Sequence, residues 1–398
     1  MFSGRRVLLG VCGGIAAYKA AELARLFKKK GAQVKTVLTT GAEAFVTPLL
    51  FEALTRDRTF TQADFLSPQG GFIPHTDLAT WAEVIVVAPA TASFLSKLSR
   101  GEPSDLLTAI IMASQAPVLL APAMNTNMWL HPATQENVRR LREFGYRIVA
   151  PETGELACGL QGPGRLPSPE ELLLEVGYLL CEKPLADRKV LITGGPTREY
   201  MDAVRFISNP SSGRMSVALA QTAYLLGAEV HLVHGPLAVR PPKPVKTYPI
   251  VSAEEMLAAA ERIFPEVDLA IFCAAVCDFK PEKSLPGKVK KETFPQEIKL
   301  VPTPDIATIL SAQKRSGQIT VGFALEERER LMESARRKLE TKNLDFLIAN
   351  DLSAFEAEES EIFLFSRERK EPLVFKASKE TLALKIFAEV CGVRDQTK

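Results

Sequence analysis

The sequence lacks the features that mark several classes of protein. Its 398 residues carry 49 basic and 47 acidic side chains, so the net charge is only +2 and no basic stripe or acidic tail is present. This balance predicts no nucleic-acid partner. No apolar run approaches the roughly 18 residues that a membrane span needs, so we expect no membrane span. The six cysteines include no C-x-x-C pair, which is typical of reduced thiols in a cytosol. These absences predict a cytoplasmic protein with small-molecule partners.

The chain opens twice with the same pattern. Residues 5–12 form an apolar run, a glycine pair breaks it, and a helical pattern followed by a second apolar run completes a βαβ unit. Residues 188–193 begin the pattern again. We therefore predict an α/β protein with two doubly wound, Rossmann-like domains, residues 1–186 and 187–398. Each should carry a parallel sheet whose ligand site lies at the carboxyl ends of its strands.

Further apolar runs predict the remaining strands of the two sheets. They lie near Val84–Ala88, Val118–Ala121, Arg147–Ala150, Leu269–Ala274, Ile319–Phe323 and Phe346–Ala349, with a hairpin at Ile362–Phe365 and Leu373–Phe375. The segment Ser252–Glu255 fits a capping box that opens a helix.

The first glycine turn, Gly13-Gly14, predicts a phosphate at a helix N-terminus, where free N–H groups favour an anion. The spacing is not G-x-G-x-x-G, and the second strand ends in Thr39-Thr40 where NAD would need an acidic residue. A mononucleotide such as FMN therefore suits the pattern better than NAD. A plain α/β turn without a ligand stays open as the alternative.

Other polar segments follow predicted strands. They are "PATAS" (89–93), "PAMNTNMW" (122–129) and the glycine-rich stretch 152–165, which we expect to be a mobile lid that carries Cys158. His75 precedes an expected helix start with Thr76 as its cap, and a structural role for it stays open. In the second half no P-loop motif occurs. Lys288 lies in a loop and Lys338 and Lys342 lie one helical turn apart, with a solvated charged face as the alternative.

Taken in order, these motifs resemble a known family. "GGIAAYK", "PATAS", His75, "PAMNTNMW" and "ACG" resemble the flavin-containing cysteine decarboxylases, and "RFISNPSSGRM", "AAVCDF", "KVKK" and "KNLD" resemble the phosphopantothenate–cysteine ligases. Both sets in one chain resemble the bifunctional phosphopantothenoylcysteine decarboxylases / phosphopantothenate–cysteine ligases of bacterial coenzyme A synthesis. The family's "PASANT" stands here as "PATAS" followed by Phe94, so its asparagine is missing and the flavin contacts of this turn stay open.

For the first half the resemblance implies FMN-dependent decarboxylation of 4'-phosphopantothenoylcysteine to 4'-phosphopantetheine. His75 would act as a base, Asn125 would hold the substrate carboxylate and Cys158 would return a proton. The residues expected to contact FMN are Gly13, Gly14, Ile15, Ala16, Thr39, Thr91, Ser93 and Met124. A flavoprotein that serves as a binding subunit, or a pyridine-nucleotide oxidoreductase, is the competing interpretation.

For the second half the resemblance implies that CTP, with Mg²⁺ bridging its phosphates, activates 4'-phosphopantothenate to an acyl-cytidylate that cysteine attacks. Asn209 would stabilise that intermediate, Lys288 would neutralise its charge, and Ser211–Gly213 would seat the pantothenate phosphate. The residues expected to bind the nucleotide are Phe272, Cys273, Ala274, Asp278, Lys288, Pro304, Asp305, Ile306, Phe323, Lys338 and Lys342. The metal ligands stay open, and so does the choice of CTP over ATP from residue chemistry alone. The resemblance also implies a homo-oligomer with trimeric decarboxylase contacts and dimeric ligase contacts.

Overall fold

Short apolar runs form the centre of a parallel sheet in residues Met1–Cys181, the first of two units into which the chain divides. The second unit is Glu182–Lys398. The computed structural model describes residues 2–67, 70–157, 159–351 and 359–393. Among these residues no helix combines the length and the apolar character that crossing a membrane requires.

The first unit contains a six-stranded parallel sheet in the order β3-β2-β1-β4-β5-β6. Its strands are β1 (Arg6–Val11), β2 (Gln33–Leu38), β3 (Thr59–Phe60), β4 (Val84–Ala90), β5 (Val118–Pro122) and β6 (Arg147–Ile148). Every residue of β4 and β5 is buried, as expected for central strands that helices cover on both faces. The order reverses between β1 and β4, which is the switch point where such sheets bind ligands.

Nine helices accompany this sheet within the described residues. They are α1 (Tyr18–Lys29), α2 (Thr40–Glu43), α3 (Pro48–Thr55), α4 (Pro74–Trp81), α5 (Ala92–Ser99), α6 (Leu106–Ala113), α7 (Thr126–Leu130), α8 (Pro132–Glu143) and α9 (Pro169–Leu180), with 3-10 turns at Ile15–Ala17 and Gln62–Asp64. Helix α1 buries Leu23 and Phe27 on one side of the sheet, and α6 buries Leu107 and Ile110 on the other. The sheet therefore lies between two apolar layers.

The stretch that we expected to be a lid without regular structure contains an antiparallel pair. Its strands are β7 (Glu152–Glu155) and β8 (Gln161–Arg165). A Cβ atom on Gly164 would lie 2.2 Å from the Met124 carbonyl oxygen, so glycine lets this hairpin approach the loop after β5. The Met124 N–H also donates to the Gly164 carbonyl over 3.0 Å. Cys158 lies outside the described residues.

The second unit contains an eight-stranded sheet in the order β13-β12-β9-β14-β17-β18-β19-β20. Its strands are β9 (Lys189–Gly194), β12 (Glu229–His234), β13 (Lys246–Pro249), β14 (Leu269–Phe272), β17 (Ile319–Glu326), β18 (Phe346–Asp351), β19 (Glu359–Ser366) and β20 (Leu373–Ser378). The first six strands are parallel, while β19 and β20 add the predicted antiparallel hairpin at one edge. The prediction of two doubly wound α/β sheets is confirmed.

Two small hairpins and five helices complete this unit within the described residues. The hairpin strands are β10 (Arg198–Tyr200) with β11 (Phe206–Ser208), and β15 (Phe279–Pro281) with β16 (Leu300–Pro302). The helices are α10 (Arg214–Leu225), α11 (Ala253–Ile263), α12 (Ile306–Ala312), α13 (Leu331–Thr341) and α14 (Lys379–Cys391), with 3-10 turns at Phe264–Glu266 and Lys291–Thr293.

The predicted capping box at the start of α11 is only half present. The Ser252 hydroxyl accepts from the Glu255 N–H over 3.2 Å, as in a capping box. The Glu255 carboxylate, however, accepts from the N–H of Val251 over 2.7 Å, one residue before the cap. Both contacts satisfy N–H groups at the start of the helix, so the end is still stabilised.

Candidate active sites

Backbone hydrogen bonds join the strand ends of the first unit along the carboxyl edge of its sheet. The Thr39 N–H donates to the Val11 carbonyl over 3.0 Å, which links the end of β2 to that of β1. The Cys12 N–H donates to the Pro89 carbonyl over 3.1 Å, which links β1 to β4. The Ala123 N–H donates to the Ala90 carbonyl over 3.1 Å and extends the series to β5. The segments predicted to contact flavin therefore follow neighbouring strands at one edge.

The two glycines of the first turn have different surroundings. A Cβ atom on Gly13 would lie 2.5 Å from the Gly41 carbonyl carbon, so the turn after β1 packs directly on the backbone that follows β2. A Cβ atom on Gly14 would meet no described heavy atom within 4 Å. Ile15, next in the chain, leaves 65% of its surface exposed. The turn therefore presents open space and an exposed apolar side chain at the start of a helical segment that also includes Ala16.

Hydroxyl groups lie along the same edge. Thr39 precedes α2, and its hydroxyl donates to the Val11 carbonyl over 3.3 Å. Thr91 caps α5 by accepting from the Phe94 N–H over 3.3 Å, and Ser93 is exposed in the first turn of that helix. Glycine N–H groups, hydroxyls and open space at a helix start suit a phosphorylated cofactor such as FMN.

Asn125 lies at the end of β5, where the loop turns into α7. Its Oδ1 accepts from the Asn127 N–H over 2.8 Å and caps this short helix. The capping contact fixes the orientation of the amide plane. Met124 beside it is partly buried against the core, and Trp129 is buried.

The structure corrects the expected position of His75. Helix α4 begins at Pro74 with Ile73 as its N-cap, so His75 lies in the first turn and Thr76 is not the cap. Its Nδ1 atom is buried and finds no hydrogen-bond partner among the described residues, while its ring meets the edge of Phe65 with centroids 5.8 Å apart. Because α4 leads into the amino end of β4, its first turn lies toward the carboxyl edge of the sheet. No described contact joins His75 to Asn125.

In the second unit a cavity of about 1010 Å³ opens at the carboxyl ends of β9, β14 and β17. The predicted nucleotide-binding residues that line it are Phe272, Cys273, Ala274, Asp278, Pro304, Asp305, Ile306, Phe323, Lys338 and Lys342. Asn209 and the segment Ser211–Gly213 line it too. The described structure therefore gathers side chains from five separate segments around one space.

Carboxylates hold the two predicted lysines, Lys338 in α13 and Lys342 directly after it. Lys342 forms an ion pair with Asp305 at 2.9 Å, and Lys338 forms one with Glu326 at 2.6 Å. Burial on its own raises the pKa of Asp305, but Lys342 and the Thr308 N–H outweigh burial, so the pKa is below its usual value. Each carboxylate thus holds one ammonium group at the cavity wall.

Asn209 and Lys288 differ in their relation to the cavity. The Asn209 amide donates to the Val276 carbonyl over 2.9 Å, which fixes it at the wall. Lys288 is exposed in the loop between β15 and β16 and is not among the residues that line the cavity. Of the residues predicted to bind the nucleotide, Lys288 is the one that does not line the cavity in the described structure.

Sequence reasoning missed two cations of the cavity, Arg214 and Lys379. Each is the first residue of a long helix, α10 or α14. Burial lowers the pKa of Lys379, and the neighbouring charge of Arg214 lowers it further. The signal for Arg214 was its place directly after the Ser-Ser-Gly run, where an anion was already expected.

No cluster suited to a metal ion, with three or more His, Cys, Asp or Glu side chains, occurs among the described residues. His231 and His234 do not form a pair. The His231 ring lies between Tyr248 at 2.9 Å and Glu229 at 3.0 Å, while His234 contacts the Gly235 carbonyl at 2.8 Å. The His131 side chain caps α8 by accepting from the Ala133 N–H over 3.2 Å.

Comparison with known proteins covers both units. The family described as Flavoprotein matches residues 1–178, and the DNA/pantothenate metabolism flavoprotein C-terminal domain family matches residues 185–393. The coenzyme A biosynthesis bifunctional protein CoaBC of Vibrio vulnificus strain CMCP6 is 41% identical over 98% of each chain. The Bacillus subtilis strain 168 protein of the same description is 40% identical over 100% of this chain and 99% of its own length. This chain belongs to the CoaBC family of bifunctional enzymes of coenzyme A biosynthesis.

Proposed function

We propose that this chain catalyses two successive reactions. Residues 187–398 would join 4'-phosphopantothenate to cysteine with CTP, and residues 1–186 would decarboxylate the product to 4'-phosphopantetheine with FMN. The observation that carries the proposal is the cavity of the second unit. It is lined by ten of the eleven residues predicted to bind the nucleotide, all but Lys288, in a chain whose similarity to CoaBC proteins extends over its full length.

The first unit fits FMN at the turn that contains Gly14, where helix N–H groups and open space suit the cofactor phosphate. Ile15, Thr39, Thr91 and Ser93 would flank the cofactor from neighbouring segments. Bound FMN would take two electrons from the thiol side of the substrate, so that the charge left on loss of carbon dioxide can spread onto sulfur, and would return the two electrons to the product, which leaves the net reaction redox-neutral.

Asn125 would hold the substrate carboxylate through its amide N–H groups. A neutral amide suits a carboxylate that must leave as neutral carbon dioxide, because a strong ion pair would stabilise the ground state more than the transition state. His75 would take a proton, and Cys158 would return one to the product. The buried Nδ1 of His75, without a partner among the described residues, supports a role in which a ligand or a second copy completes its environment.

In the second unit a carboxylate oxygen of 4'-phosphopantothenate would attack the α-phosphorus of CTP and release pyrophosphate. The amine of cysteine would then attack the acyl carbon and release CMP. Lys338 and Lys342 would balance the triphosphate charge together with Mg²⁺ that enters with CTP. Asn209 would hold the acyl-cytidylate, and Ser211–Gly213 with Arg214 would take the pantothenate phosphate.

We further propose a homo-oligomer with trimeric contacts in the first half and dimeric contacts in the second. Exposed apolar side chains on α2–α3 and beside α4 support contacts between copies, and they include Phe45, Leu49 and Ile73. Lys288 must reach a cavity to act, either that of its own chain after its loop closes or that of a second copy. Mass measurement of the intact particle in solution tests the assembly.

The experiment that tests the two functions uses the purified full chain. The protein should be yellow with a flavin spectrum, and pyrophosphate release with CTP and 4'-phosphopantothenate should precede addition of cysteine. Asn125→Asp should abolish carbon dioxide release and leave pyrophosphate release intact, while Lys342→Met should weaken pyrophosphate release at low CTP concentration and leave carbon dioxide release intact. A colourless protein would refute the first function, and pyrophosphate release with ATP but not with CTP would refute the nucleotide assignment.

A further inference from the structure

Asp202 has an unusual place in the second unit. It lies in the turn between β10 and β11 and has no exposed side-chain surface, although it is a carboxylate. A buried carboxylate is costly unless charge and hydrogen bonds compensate it, so its partners show what it holds. Its Oδ1 accepts from the N–H groups of Val204 and Arg205 over 2.8 and 2.7 Å, which closes the turn.

The other oxygen of Asp202 faces the segment that contains Lys288. Oδ2 accepts from the Arg205 guanidinium over 2.8 Å and from the Val289 N–H over 3.4 Å. Arg205 also donates to the Val289 carbonyl over 3.3 Å, so both backbone groups of the residue after Lys288 are engaged. The guanidinium lies 4.4 Å from the centre of the Phe294 ring, further along the same loop.

A second set of contacts holds the residues before Lys288. The Ala203 N–H donates to the Gly287 carbonyl over 3.1 Å, and the Leu285 N–H donates to the Met201 carbonyl over 2.8 Å. Lys288 therefore lies between two residues that are bound to the β10–β11 turn, while its own side chain is exposed. The turn fixes the backbone on either side and leaves the ammonium group free to meet a substrate.

The same hairpin also delivers Asn209. Strand β11 pairs with β10 from Phe206 to Ser208, and Asn209 is the next residue, fixed on the cavity wall through the Val276 carbonyl. One end of this short element thus holds the Lys288 loop and the other end presents Asn209. The two candidate ligase residues, 79 positions apart in the chain, share one support.

We infer that Asp202 is a positioning residue for the ligase reaction, which ties the Lys288 loop to the hairpin that carries Asn209. The pKa of Asp202 lies below its usual value, because the Arg205 N–H, the Val204 N–H and the Val289 N–H bind the ionised form despite burial. The carboxylate stays ionised at neutral pH, as this support requires. The inference rests on the proposed ligase function for the roles of Lys288 and Asn209.

The test compares the full chain with Asp202→Asn, in which a nearly isosteric amide keeps one acceptor oxygen and loses the second. Hydrogen exchange of residues 285–294 and tryptic cleavage after Lys288, Lys290 and Lys291 report the support directly. Loss of hydrogen bonds to a charged group should accelerate both by about tenfold or more. A misplaced lysine should lower kcat for pyrophosphate release by about tenfold to a hundredfold, with the KM for CTP changed less than about threefold.

Glu282→Gln is the matched control, because Glu282, the residue after β15, pairs with Lys299, the residue before β16, and shows no described contact with residues 285–289. It should leave exchange, cleavage and kcat unchanged. If Asp202→Asn does not fold, Arg205→Met removes the link to Val289 from a side chain that is 36% exposed, and it should shift exchange and cleavage in the same direction.

The outcomes separate the inference from the proposed function. Faster exchange throughout β9 and β14, equal to that of the loop, would overturn the inference, because Asp202 would then serve general stability. Faster exchange confined to the loop with unchanged kcat would overturn the positioning role. A wild-type chain that releases no pyrophosphate would refute the ligase function, and the exchange comparison would still decide whether Asp202 holds the loop.

Discussion

The two glycines after β1 give a prediction that separates packing from cofactor binding. A methyl group on Gly13 would lie 2.5 Å from the Gly41 backbone, where neither partner is a flexible side chain. Relief requires a backbone shift, and overpacking of this kind costs about 1–3 kcal/mol. For a unit of this size, each kcal/mol lowers Tm by about 2–4 °C. Gly13→Ala should therefore lower the Tm of the first unit by about 2–12 °C.

Gly14→Ala is the matched variant, with the same chemical change one residue later. No described heavy atom lies within 4 Å of its Cβ position, and its φ of −174° and ψ of 161° are extended values that alanine adopts freely. The Tm of the FMN-free protein should stay within about 1 °C of wild type, because surface changes without new contacts cost under about 0.5 kcal/mol. If the cofactor approaches this backbone, however, FMN affinity should fall by about tenfold or more, since 1.4 kcal/mol corresponds to a factor of ten.

The assay removes FMN, records the thermal unfolding of the first unit by its own transition and then titrates FMN by fluorescence quenching. The two variants should show opposite profiles, with Gly13→Ala unstable and Gly14→Ala stable but weak in FMN binding. Wild-type FMN affinity in Gly14→Ala would refute the assignment of the cofactor to this turn. Wild-type stability in Gly13→Ala would refute the close approach of the two backbones.

Four further predictions concern single side chains or one ion pair. Asn125→Asp places a second negative charge beside the substrate carboxylate and should lower carbon dioxide release by at least about a hundredfold, whereas Asn125→Gln should lower it less; equal losses would refute a charge effect. Lys342→Met should raise the KM for CTP by about tenfold through a lost charge-assisted contact, and an unchanged KM would exclude it from the nucleotide site. Because Lys342 lowers the pKa of Asp305, a half-exposed carboxylate, the pair should add under about 1 kcal/mol of stability. That contribution is present above about pH 4, is lost as pH falls through the folded pKa, and should vanish from acid unfolding curves of Lys342→Met. Burial raises the pKa of the Cys12 thiol to about 12, so iodoacetamide at pH 8 should label Cys12 only in unfolded protein; labelling of the native chain at this residue would refute its burial.

Most strands of both sheets could be predicted because they are short apolar runs. Val84–Ala88 and Leu269–Ala274 are examples, and the structure places strands at both, with ends that differ by two residues. The edge strands β3 (Thr59–Phe60) and β13 (Lys246–Pro249) contain no such run and were not predicted. The β7–β8 hairpin could not be predicted in this way. The sequence of β7 is Glu-Thr-Gly-Glu, which shows no apolar alternation, and its strand character comes from pairing with β8 rather than from burial.

The sequence indicates that a helix begins near His75, but the predicted start lies later than the observed one. Pro74 is suited to the first position of a helix because it has no N–H to leave unpaired, and the helix begins there, one residue before His75. The sequence could not predict where the fold holds Lys288. A loop lysine carries no periodic signal, and only the contacts of residues 285–289 with the β10–β11 turn show where its backbone is held.

The two carboxyl edges differ in charge in a way that matches their proposed chemistry. In the first unit the residues expected beside the flavin and the substrate carboxylate are glycines, hydroxyls, small or apolar side chains and Asn125, all uncharged, which suits a step in which negative charge must leave the carboxylate and move onto sulfur. In the second unit the described cavity wall carries four cations, Arg214, Lys338, Lys342 and Lys379, against the carboxylates Asp278 and Asp305. That excess of positive charge suits a cavity that holds a triphosphate and a second phosphate. The cations would offset the negative charge of both groups, so that a carboxylate oxygen can approach the α-phosphorus. The same βα opening thus supports opposite chemistry because the side chains at the strand ends, and not the fold, set the charge of each site.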